Sequence, residues 1–103
     1  MKNQLADIVA TVELLSSDEG GRAGPTPADE FRCILTMDGN NFDVRLHLEN
    51  AGPLSPGQIA KVPISFLDRE RARGLCSLGT KFLLREARTI ARGEVIETLL
   101  LQK

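Results

Sequence analysis

The chain has 103 residues, 42% of them hydrophobic and 26% charged, with a formal net charge of −1. That is the size of one domain, 1–103, and enough to bury a core; it excludes a disordered acidic tail and a collagen-like repeat. No apolar run approaches the ~18 residues that a membrane-spanning helix needs, and the chain reaches Asp7 before any apolar stretch of signal-peptide kind.

Period-two alternation dominates from the start. Ile8, Ala10, Val12 and Leu14 alternate with polar partners, Asp7, Thr11 and Glu13 among them, which predicts a first strand with one apolar face. A long loop follows, Gly20 to Pro27. Phe31, Cys33, Leu35 and Met37 then define the inward face of a second strand, opposite Arg32, Ile34, Thr36 and Asp38. Asp38-Gly39-Asn40-Asn41 reads as a hairpin turn. Phe42 to Glu49 alternates without a fault: Phe, Val, Leu, Leu on one side and Asp, Arg, His, Glu on the other. Residues 50–57 carry two glycines and two prolines and break any regular element.

Ser55-Pro56-Gly57-Gln58 imitates a helix capping box, but the alternating run behind it denies a helix. In that run Ala60, Val62, Ile64 and Phe66 share a face, and Pro63 belongs at an edge or bulge because it cannot donate to a ladder. The one helical candidate is Asp68 to Arg73, stopped by Gly74. Phe82 and Leu84 point inward from a fifth strand. A sixth runs from about Thr89 to Leu100, with Gly93 as its expected bulge. Six strands in a chain of this size predict an all-β fold: a closed or nearly closed antiparallel barrel.

Three stretches resemble the C-terminal barrel domain of elongation factor Tu. Val9 to Arg22 is similar to its opening strand and Lys-Asp-Glu-Gly-Gly-Arg loop. Leu54-Ser55-Pro56-Gly57-Gln58 resembles its Met-Pro-Gly-Asp turn. Lys81-Phe82-Leu83-Leu84-Arg85-Glu86 with Arg88-Thr89-Ile90-Ala91-Arg92-Gly93-Glu94-Val95 resembles its closing hairpin. The likeness covers about residues 8 to 98. It implies a six-stranded antiparallel barrel that performs no chemistry itself; in the full-length factor that barrel helps hold the T-stem of aminoacyl-tRNA and packs on the GTPase domain. Two departures weaken the implied tRNA contact. The closing turn is reduced to Ala87, and an aromatic-rich stretch of the family is replaced by Ala23 to Glu30, which has no aromatic residue. These residues hold neither the GTPase domain nor the middle barrel, so no elongation cycle is expected of them.

Candidate chemistry is sparse. Gly74 to Lys81 nearly spells a phosphate-binding loop, but Thr80 precedes Lys81, and Lys81 opens a strand rather than a helix; no nucleotide and no cofactor are expected. His47, the single histidine, lies on a polar face and is read as solvated or hydrogen-bonded, not as a metal ligand. Cys33 and Cys76 form no Cys-x-x-Cys pair and are expected to be free, inert thiols in a reducing cytoplasm. No serine or cysteine matches a histidine and an acid, so no enzyme is expected.

Charge is uneven along the chain. Residues 1–60 carry four basic and nine acidic side chains, residues 61–93 eight basic and three acidic. Arg69, Arg71, Arg73, Arg85, Arg88 and Arg92 in the basic segment are the candidate anion- or RNA-binding residues, because guanidinium groups pair with phosphate in a bidentate manner. The competing reading is a solvated face interleaved with Asp68, Glu70 and Glu86. All four phenylalanines fall on inward faces and there is no Trp or Tyr, which argues against base stacking but not against binding a duplex backbone. Leu99-Leu100-Leu101 is apolar on both faces of a strand, at a barrel seam or at an edge that a partner covers. The expectation is a non-enzymatic binding module for protein, including self-association, with RNA backbone binding as the alternative.

Overall fold

Alternation of apolar and polar side chains becomes strand along the chain, because only a strand delivers every second residue to one core. In the computed structural model, which describes residues 6–99, the strands are β1 (Ile8–Leu14), β2 (Glu30–Met37), β3 (Asn40–His47), β4 (Ile59–Phe66), β5 (Lys81–Arg85) and β6 (Thr89–Thr98). They close into a six-stranded antiparallel barrel in the order β1-β4-β3-β2-β5-β6. A short helix, α1 (Arg69–Arg73), crosses one end of the barrel between β4 and β5, and a 3-10 turn (Ser17–Glu19) lies in the β1–β2 connection at the other. These two ends are the helix end and the loop end.

The inward faces are those the pattern predicts. Ile8, Ala10, Val12 and Leu14 are buried, as are Phe42, Val44, Leu46 and Leu48, and all four phenylalanines are at most 5% exposed. Phe42 and Phe66 meet edge to face, centroids 5.4 Å apart. Cys33 is the exception on its face: it packs against the core but is only partly buried.

Turns follow their sequence chemistry. Asp38 (φ 51°) and Gly39 (φ 80°) are both left-handed, the requirement of a two-residue type I′ hairpin, and Asp-Gly meets it. Gln58 caps a turn without a helix: its side chain accepts the Ser55 N–H at 2.9 Å, and β4 begins at once. The β3–β4 ladder runs from Val44↔Phe66 to Leu46↔Ile64 and stops, so Pro63 sits where β4 no longer faces a paired β3. The loop end is sealed by Thr26, whose hydroxyl accepts the Leu54 N–H at 2.9 Å while its own N–H donates to the Leu54 carbonyl at 2.9 Å; Leu54 is fully buried beneath.

Three expectations need correction. Asp7 does not face water: it is 4% exposed, tucked between β4 and α1. Gly93 is not a bulge. It pairs in register with Val12 and Phe82, and the register slips instead at Ile96, between Val9↔Glu97 and Ala10↔Val95, and at Ile90, between Leu84↔Ala91 and Arg85↔Thr89. The sixth strand ends at Thr98 rather than near Leu100. Leu99 is half-buried and its N–H donates to the Asp7 carbonyl at 2.8 Å; Leu100 and Leu101, like Met1 to Leu5, lie outside the described residues.

Candidate functional site

The six candidate arginines divide between the two ends of the barrel. Arg69, Arg71 and Arg73 ride on α1 at the helix end. Arg85 ends β5 and Arg88 lies in the β5–β6 turn, both at the loop end, while Arg92 projects from the wall of β6. They do not form one patch.

Most of them already have work. Asp68 caps α1, its carboxylate accepting the Arg71 N–H at 3.3 Å. Arg69 reaches the buried Asp7 carboxylate at 2.8 Å, and the other oxygen of that carboxylate accepts the Phe66 N–H at 2.8 Å. Arg71 lies over the Phe42 ring, 4.3 Å from its centroid, and donates to the Asn41 carbonyl at 2.7 Å. Arg73 pairs with Glu70 at 3.2 Å. Arg92 holds Glu13 at 3.1 Å and Glu19 at 3.6 Å, and the hydrogen bond to Glu13 raises its already high pKa. Arg85 is half-buried and Arg88 exposed, and no carboxylate lies within ion-pair distance of either among the described residues.

Outside the basic segment one more arginine, Arg22, makes a long-range ion pair. Its guanidinium pairs with Glu86 at 2.8 Å, donates to the Gly24 and Pro25 carbonyls, and lies 5.2 Å from the Phe31 ring centroid. It thereby ties the β1–β2 loop to the β5–β6 turn. The Gly-Gly before it is steric: Gly20 ends the 3-10 turn at φ 91°, and a Cβ on Gly21 would stand 2.3 Å from the Leu15 carbonyl oxygen.

His47 Nε2 shares a 2.8 Å hydrogen bond with Ser65 Oγ across β3 and β4. Lys81 opens β5, so the Gly74–Lys81 stretch leads into a strand. Among the described residues no group of three His, Cys, Asp or Glu could hold a metal, and no helix is long and apolar enough to cross a membrane.

The two cysteines are not bonded to each other. Burial, helped by the charge of Glu86, pushes the Cys33 thiol up to about 12; burial, with Asp7 nearby, pushes Cys76 up to about 11. The folded chain keeps these protons where the unfolded chain loses them. Their contribution to stability is therefore whole below the ordinary thiol pKa of 9.0 and is lost as pH climbs toward the raised values. Ellman's reagent at about pH 8 is expected to label the native chain far more slowly than the denatured chain. Native labelling as fast as unfolded would refute the assignment.

One part of the outer wall carries an ordered row of outward-pointing side chains. Reading across the strands through Glu13↔Ile59, Glu13↔Arg92 and Leu83↔Arg92, outward side chains form a row: Ile59, Glu13, Arg92, Leu83. Ile59 is 60% exposed and Leu83 44%. A groove of about 640 Å³ runs beside this row and is also lined by Thr36, Met37 and, from the next row, Thr11, Lys81 and Glu94. Sequence reasoning missed it because the row is assembled from four strands, and each member is one ordinary outward position in its own strand.

No protein-family model matches the chain, and no curated protein matches it.

Proposed function

We propose that this barrel is a non-enzymatic binding module, of the kind its resemblance to a translation-factor barrel implies, and that it docks against protein, its own copies included. The carrying observation is the outer wall: two large apolar side chains, Ile59 and Leu83, stand in water at either side of an ion pair and a groove. The interior supports the same reading, because its own side chains fill it. Closure supports it too. A closed sheet offers no long free edge for strand addition, so recognition falls to side chains on the wall.

The immobilised chain is expected to retain a specific protein that free chain competes away, and Leu83→Glu is expected to abolish retention. A wild-type chain that retains nothing and is strictly monomeric by light scattering would overturn the proposal.

A narrower second reading is RNA backbone binding through the segment Arg69 to Arg92. Arg85 and Arg88 favour it, since they stand at one turn without carboxylate partners among the described residues. Labelled tRNA titrated at low and then higher salt separates the two readings. RNA binding requires a salt-sensitive affinity that Arg88→Ala weakens.

A further inference from the structure

The charge order of the wall matches itself. From β4 to β5 the row reads apolar, negative, positive, apolar: Ile59, Glu13, Arg92, Leu83. Consider a two-fold axis lying in the contact plane along the seam between β1 and β6. Facing copies then exchange left for right. Glu13 meets Arg92 of the second copy, Arg92 meets its Glu13, and each Ile59 meets a Leu83. Every contact in the row is opposite-charge or apolar on apolar, which is what an isologous interface demands. The groove beside Leu83, Thr36 and Met37 gives the incoming apolar side chain a seat.

The neighbouring row sets the centre of the contact. Through Thr11↔Lys61, Thr11↔Glu94 and Lys81↔Glu94 it reads Lys61, Thr11, Glu94, Lys81. The same axis would set Lys61 opposite Lys81 of the second copy two residues along the strands, so the favourable pairs are confined to the Glu13–Arg92 row, and the long lysine stems must turn their ammonium groups outward to water. We infer that the chain forms a two-fold dimer centred on the Glu13–Arg92 row, its occupant a second copy of itself. This rests on the proposed docking function and assigns that function a surface, a partner and a symmetry.

The test uses charge reversal in two separate full-length chains. Glu13→Arg sets the introduced guanidinium against Arg92 of an identical copy, and Arg92→Glu sets the introduced carboxylate against Glu13. Each variant is expected to be monomeric alone by sedimentation, at concentrations where the wild type dimerises. Mixed together, the two restore opposite-charge contacts and are expected to form a heterodimer. Arg92 is exposed and Glu13 half-buried on the outer wall rather than in the core, so the variants are expected to keep the wild-type circular dichroism, which is recorded first. A wild type that dimerises while the mixture stays monomeric overturns this surface but leaves the docking reading standing. A monomeric wild type overturns the dimer, and the capture experiment then decides the docking reading separately.

Discussion

Asp7→Ala is expected to lower the stability of the barrel by about 2–3 kcal/mol, from the loss of a charge-assisted hydrogen bond and the orphaning of a buried donor. The full penalty for breaking a buried ion pair is larger, but Arg69 is 55% exposed and water recovers part of its loss. The Phe66 N–H has no such recourse, because it donates to the Asp7 carboxylate in the interior. Asp7 is also held by its backbone: its N–H donates to the Ile64 carbonyl and its carbonyl accepts from Leu99, each at 2.8 Å. One residue thus joins β1, β4, α1 and the end of β6. Asp7→Asn keeps an acceptor for Phe66 and gives up the charge toward Arg69, so it is expected to be the milder of the two. Urea unfolding of both variants measures the order. An alanine variant as stable as wild type would show that the carboxylate holds nothing.

Gly93→Ala is expected to cost about 3 kcal/mol, the upper range for forcing volume into a packed site. A Cβ there would lie 2.4 Å from Phe82 Cζ and 2.8 Å from the Thr11 carbonyl oxygen. The ring can be removed but the carbonyl belongs to the β1 backbone. Phe82→Leu combined with Gly93→Ala is therefore expected to recover only part of the loss, and a double-mutant cycle gives the coupling between the two positions. Additive effects would mean that ring and glycine do not compete for the same space.

The strands were legible because burial imposes a period of two on any sheet with one wet face. Asp7 shows where that rule stops. Its parity assigns it outward with Thr11 and Glu13, yet it is buried, because Phe66 and Arg69 come to it from 59 and more residues away. Parity describes a strand; it does not describe what the next connection lays over the strand's end.

Gly93 was open to misreading for a different reason. A glycine in a strand suggests either a bulge or a close approach, and here it is the second. The real bulges had their own signature: Ile90-Ala91 and Val95-Ile96 are apolar doublets that break the alternation, and the register slips at each. The arginines fared similarly. Their clustering along the sequence was visible, but the acids that occupy Arg69 and Arg92 come from far earlier in the chain: Asp7, just before β1, reaches Arg69, and Glu13 of β1 and Glu19 of the loop after it reach Arg92 across the closure of the barrel between β1 and β6.

That closure also governs time. β1 and β6 are the first and last strands of the barrel, and they pair along its full height, from Ile8↔Thr98 to Leu14↔Ala91. On a ribosome β1 cannot find this neighbour until nearly all of the described chain has emerged, and on refolding from denaturant the two strands must meet across most of the chain's length. The seam closes the longest loop of any strand pair in the barrel, and pairing at such sequence separation is the kind of contact that lowers folding rates. Until it forms, β1 and β6 each present an unpaired edge, and the barrel spends that interval in the state most open to pairing with the wrong chain.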